Sequence, residues 1–273
     1  MLVFAGTAQA AVPLLGFPVV GNSTFQNDYG APRWNGWHQG IDIMTRRWQP
    51  VMAVERGHID IHYRSLSSTC MLYLHGASGY TYVYIHLNND LTMNNDNRGG
   101  CREGVAYAPG LRDGALVRLG RYLGNAGDSG DADGGQPHLH FEIRKNGVPL
   151  NPYDHLRRAR RAFYPSPGGT AEINLKLIGR VIGHTETTFA VRVGFVRMST
   201  GLGYYITRSI NLTVPAETVV KRQTASGTAP ARLSDAVVGE RVIVWTTGFV
   251  PSWRTQLAAP GVLASREILL RGG

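Results

Sequence analysis

Three short segments of this chain share a two-residue alternation that sets metal-capable side chains against apolar ones. They are His38-Gln-Gly-Ile-Asp42, Tyr84-Ile-His86 and Gln136-Pro-His-Leu-His140. Residues i and i+2 of a β-strand point to the same face. Read as strands, the first segment puts His38, Gly40 and Asp42 opposite Ile41 and Ile43. The second puts Tyr82, Tyr84 and His86 opposite Val83, Ile85 and Leu87. The third puts His138, His140 and Glu142 opposite Leu139, Phe141 and Ile143. One sheet with an apolar face on a core and a polar groove on the other face accounts for all three patterns.

The groove residues define a chemistry. Two histidines and a carboxylate suit a catalytic zinc ion, which takes three protein ligands and leaves a position for water or substrate. Imidazole-rich donors disfavour calcium and magnesium. No HExxH is present, so the helical zinc-protease arrangement with its glutamate base is excluded. The base is then a histidine, which titrates in the right range: His86 or one of His138 and His140. Any one segment alone is commonplace. Their joint occurrence in matching facial registers is not.

The rest of the chain reads as all-β. Short alternating runs are separated by Gly, Asn, Asp and Pro clusters, and 34 glycines mark a turn-rich protein. Strands are predicted at Val51–Val54, Met71–Leu74, Tyr80–Leu87 and Leu139–Arg144. A polar insertion runs from Asn88 to Gly110, and a helix is predicted over Asn151–Phe163. Its late arginines, Arg157, Arg158, Arg160 and Arg161, read as a solvated helix end. Residues 164–169 read as a linker. Beyond them, alternation in Phe189–Val193, Ile210–Val214 and Glu240–Thr246 predicts a small sandwich or barrel. The expected organisation is therefore a secretory-signal remnant over 1–13, a zinc-site domain over 14–163, the linker, and a small OB-like barrel over 170–273. The remnant is inferred from Ala8-x-Ala10 after a short apolar stretch.

Composition narrows the partners. The net charge is +9 with only three lysines among the basic residues. Such a surface suits an anionic polymer, equally nucleic acid or a membrane face, or serves solubility alone, and no nucleic-acid motif accompanies it. No apolar run reaches the roughly 20 residues of a membrane helix. Cys70 and Cys101 fit one disulfide in an exported protein, with a pair of free thiols as the alternative.

These residues resemble the M23 family of zinc metallopeptidases, the lysostaphin-like and LytM-like peptidoglycan endopeptidases. The resemblance is carried by His38-Gln-Gly-Ile-Asp42, Pro50–Gly57, Tyr84-Ile-His86-Leu87, the Gly120, Gly124, Gly127, Gly130 ladder and Pro137-His-Leu-His-Phe-Glu142. Asn146-Gly147 and Asn151-Pro152 look like the family's ending, and Asn27–Arg33 is similar to the entry segment of exported actinobacterial members. It covers roughly residues 20–155. The resemblance implies an antiparallel-sheet fold and one zinc ion on His38, Asp42 and His140. It makes His86 and His138 catalytic and His75 structural, and it assigns no function to His58, His62 or His155. It implies an exported, wall-associated endopeptidase cutting peptidoglycan peptide bonds, with anionic wall polymers as further partners. The other classes it leaves open are a non-catalytic wall-binding or regulatory module and a zinc peptidase of non-wall peptides. The Asn88–Gly110 insertion and Asp131-Ala-Asp133 depart from the common pattern.

Overall fold

The computed structural model describes residues 12–34, 36–62, 69–168, 170–252, 255 and 263–272. The Ala8-x-Ala10 pattern lies outside them. The first half holds β1 (Pro32–Arg33) and β2 (Gly36–Trp37), paired as a short hairpin, then β3 (Ile41–Met44), β4 (Gln49–Met52), β5 (Gly57–His62), β6 (Met71–Gly76) and β7 (Thr81–Ile85). There follow β8 (Leu116–Val117), β9 (Tyr122–Ala126), β10 (His138–Lys145), β11 (Val148–Leu150) and helix α1 (Tyr153–Arg158). The main sheet is antiparallel in the order β11-β10-β7-β6-β5-β8, with β3 on the same edge of β10 as β11, while β4 pairs with β9.

The alternation of β3 and β10 is realised as expected. Ile41, Ile43, Leu139, Phe141 and Ile143 are buried in one core with Leu72 and Leu74 of β6. Each such side chain contributes roughly 1.5–3 kcal/mol by leaving water.

Strand β7 has the opposite parity to the one expected. Tyr82 and Tyr84 point into the core, where the Tyr84 hydroxyl accepts the Val54 N–H (3.1 Å) and the Tyr82 hydroxyl donates to Glu55 (2.7 Å). Val83 and Ile85 share the groove face with their cross-strand partners Glu142 and His140. His86 nonetheless reaches the groove, because the strand ends at Ile85 and His86 takes a left-handed conformation, φ 61°. A residue with positive φ turns its side chain away from the side that extended alternation assigns it.

Helix α1 is also shorter than expected. The chain turns extended at Ala159, and Arg160 bridges to Gly16, its N–H donating to Leu15 (3.0 Å). Pairing with the N-terminal segment ends the helix, which takes Arg160 and Arg161 off it.

Cys70 and Cys101 are disulfide-bonded, tying β6 to the polar insertion. The insertion is folded around Asp90, which accepts the N–H groups of Asp96 and Asn97 and pairs with Arg47 (2.5 Å); Arg47 also pairs with Asp128.

The second half consists of β12 (Leu175–His184), β13 (Thr188–Met198), β14 (Gly203–Thr213), β15 (Val219–Thr224), β16 (Gly227–Pro230), β17 (Arg241–Thr246) and β18 (Leu263–Leu270). The order β14-β13-β12-β17-β18 closes on itself through parallel pairing of β14 with β18, making a small barrel. Phe189, Val191 and Val193 fill it. An irregularity between Val193 and Phe195 then shifts the parity, so that Val196 and Met198 point inward instead.

The connecting stretch packs against both halves. Tyr164 is buried with Val20 and Met52 in the barrel-side core, Tyr204 donates to the Phe163 carbonyl (2.8 Å), and Ser166 accepts from Tyr122. Gly21, at φ 97°, closes the seam: a Cβ there would lie 2.4 Å from the Tyr205 carbonyl oxygen.

Candidate metal centre

The centre grows from the pairing of β10 with β3, which sets His140 directly across from Asp42. His38 joins from the loop before β3, held by its N–H to Ala31 (2.9 Å). Three atoms converge: His38 Nε2, Asp42 Oδ1 and His140 Nδ1, separated by 3.0, 2.8 and 3.0 Å. Among the described residues no other group of three metal-capable side chains gathers so closely.

The outer contacts fix which lone pairs face inward. His38 Nδ1 meets the Asp28 carbonyl (2.9 Å), which can only accept, so Nδ1 carries a proton and Nε2 faces the centre. His140 Nε2 meets Glu142 Oε1 (3.0 Å), so its Nδ1 faces the centre. Two imidazole lone pairs and a carboxylate oxygen thus point at one another, an arrangement that a cation satisfies. Edges near 3 Å approach the roughly 3.3 Å between ligands of a tetrahedral ion bonded at 2.0–2.1 Å. The same groups also favour a proton. Burial pushes the Asp42 carboxyl up, but His140 and His38 outweigh it and hold it far below the usual range. Burial pushes His140 down, yet Asp42 and Glu142 raise it to about 9.

His86 and His138 stand beside the centre, ring centroids 4.8 Å apart, with His86 6.2 Å from His140. His86 Nδ1 donates to the Ser129 carbonyl (2.8 Å), leaving Nε2 as the basic nitrogen. Burial, then the neighbouring His138, lowers its pKa to about 4, so it is neutral at pH 7. His138 Nδ1 meets the Gln136 carbonyl (2.9 Å), and its Nε2 lies 3.7 Å from Asp42.

All five histidine and aspartate positions singled out in the sequence line one groove of about 490 Å³. Sequence reasoning gave no role to Arg33, whose Nη2 donates to Asp42 Oδ2 (2.7 Å), or to Trp34 and Trp37, exposed at the groove's edge. Their signal was the Pro32–Trp37 run itself, whose Gly36 takes the positive φ of a tight hairpin. Nor did it mark Ser129, whose backbone carbonyl leaves no trace in side-chain patterns. The remaining histidines are elsewhere: His58 stacks on His75, His62 bonds Asp60, His155 lies on α1, and His184 donates to Ala236.

With an all-β scaffold around a His-Asp-His centre, the chain is similar to metallopeptidases of the M23, LytM and lysostaphin kind. An uncharacterized metalloprotease of Haemophilus influenzae is 26% identical over 116 residues, which are 42% of this chain and 20% of that relative. A putative glycyl-glycine endopeptidase LytM from Ruminococcus gnavus is 23% identical with a TM-score of 0.40, over 53% of this chain and 59% of that one. The catalytic domain of lysostaphin from Staphylococcus simulans is 22% identical with a TM-score of 0.37, over 50% and 92%. A zinc containing peptidase from Vibrio cholerae is 23% identical with a TM-score of 0.36, over 50% and 39%. No protein-family model matches the chain.

Proposed function

We propose that this chain is an exported zinc metalloendopeptidase of the M23 kind that hydrolyses peptide bonds of peptidoglycan. The observation that carries the proposal is the convergence of His38 Nε2, Asp42 Oδ1 and His140 Nδ1 beside two further histidines in an open groove. His38, Asp42 and His140 hold the ion, and Glu142 orients His140 through its Nε2–H. When bound, zinc supplies Lewis acidity toward a carbonyl and lowers the pKa of water. Neutral His86 takes the water proton at Nε2, its tautomer set by Ser129. His138 stands beside it as the second catalytic histidine, its Nδ1–H held by the Gln136 carbonyl and its Nε2 turned toward the centre. The peptidoglycan substrate rests on the motif resemblance. Export rests on that and on the disulfide, a bond of oxidising compartments. No described helix is long and apolar enough to cross a membrane. Among the described residues, those lining the groove all lie between Arg33 and Glu142, within the expected 14–163 domain.

Two variants test the reading. His140→Ala loses zinc by mass spectrometry together with the digestion of purified sacculi. His86→Ala keeps its zinc while turnover falls on the order of 10²–10⁴-fold. Normal digestion by the His86 variant would sink the mechanism. A wild-type protein that cut free peptides and spared sacculi would sink the wall assignment.

A further inference from the structure

A second cavity, of about 380 Å³, lies at the seam between the first half and the barrel, apart from the metal centre. Its polar lining is Asn22, Ser23, Thr24 and Arg161 from one side and Thr207 and Arg208 of β14 from the other. No carboxylate lines it, and neither arginine enters an ion pair among the described residues.

The arginines are held in place. Arg161, which leaves α1 when the helix stops early, lays its guanidinium 3.7 Å over the centre of the Phe17 ring and donates through Nη1 to Ser23 Oγ (3.2 Å). Arg208 Nη1 donates to the Arg161 carbonyl (3.4 Å). Asn22 and Thr207 lock to each other across the seam: Asn22 Nδ2 donates to Thr207 Oγ1 (3.3 Å) and Asn22 Oδ1 accepts the Thr207 N–H (3.0 Å). Because the Ser23 and Thr207 oxygens accept in these bonds, their own O–H groups remain to donate. The cavity thus offers two guanidiniums and several hydroxyls, nearly all donors, with no negative charge to balance them. A carboxylate satisfies one guanidinium fork, whereas a tetrahedral oxyanion has oxygens enough for two forks and the hydroxyls between them.

We propose that the seam cavity binds a phosphate-class oxyanion, either a small phosphate or the phosphodiester of an anionic polymer. The inference goes beyond the peptidase reading and does not depend on it. An anion there touches both halves of the chain and so clamps the barrel to the sheet.

Calorimetry on the zinc-loaded full chain tests this, with inorganic phosphate, poly(glycerol phosphate) and poly-glutamate as probes at constant ionic strength. The same titrations on His140→Ala separate any phosphate taken by the metal centre. Saturable phosphate binding is expected in both proteins. It should weaken at least about tenfold in Arg208→Gln and vanish in the Arg161→Gln/Arg208→Gln double variant, with zinc content and circular dichroism unchanged. Arg208→Gln leaves the Phe17 stacking intact, which guards against a folding defect in the double variant. Polymer binding that tracks the arginines identifies a polymer source, and binding of inorganic phosphate alone identifies a small anion; either outcome supports the site. Absent saturable phosphate binding, undiminished binding in the double variant, or equal affinity for poly-glutamate would overturn it.

Discussion

At the scale of single residues, the proposed metal centre depends on groups outside its ligand set. Glu142 is buried, bonded to His140 on one side and to Arg144 on the other (2.5 Å). Replacing it by Gln keeps the shape but removes the charge that steadies the His140 Nε2–H. Zinc affinity of Glu142→Gln should fall roughly 10–100-fold, read by competition with a chromogenic chelator. The five histidine and aspartate positions of the groove were legible in the sequence because each is a side chain of distinctive chemistry, while the choice of His140 over His138 as the proposed ligand came from the family resemblance. Their supports, the carbonyls of Asp28, Gln136 and Ser129, were not, because a backbone oxygen looks the same at every position.

At the scale of elements, what sequence pattern can predict depends on the backbone remaining extended. Strands β3 and β10 obey simple alternation, and their faces were readable. In β7 alternation with His86 assigned Tyr82 and Tyr84 to the groove, but each hydroxyl finds a buried partner and both rings serve the core. Only the conformation of His86 restores it to the site, and φ is not written in residue identity. The closure of the barrel by β14 and β18 was likewise hidden, since it joins segments some fifty residues apart. Two consequences can be measured on these elements. Removing the link between β6 and the insertion by replacing both Cys70 and Cys101 with Ser should cost about 2–5 kcal/mol in denaturant unfolding. In the barrel, burial pushes Glu240 up, but Arg222 (2.9 Å) and the Val237 N–H (2.7 Å) hold it below its ordinary value. A depressed carboxylate contributes its stability above the unfolded pKa near 4.3 and loses it as pH falls through the lower folded value. Glu240→Gln should therefore lower the melting temperature at pH 7, with the difference from wild type shrinking as the buffer is taken below pH 4.

At the scale of the whole molecule, the two halves share apolar surface. Val20, Met52, Phe163 and Tyr164 belong to the first half and its connection, yet they are buried with barrel residues. A chain ending at residue 163 would expose Val20 and Met52, so it should melt below the full chain and bind a hydrophobic dye at temperatures where the full chain does not. Gly21→Val tests the same seam in the intact protein: its side chain would meet the Tyr205 carbonyl, and a clear fall in melting temperature is expected.

Strand β10 carries His140, the proposed ligand, on one face and the core on the other, one residue apart. A slip of one residue against β3 would bury His140 and expose Leu139, destroying ion binding and packing in the same event. On the proposed ligand set, metal uptake is therefore a proofreading signal. A chain that took up a metal ion there would already report that its central strand is correctly threaded, and the metal content of a preparation would count its faithfully folded molecules.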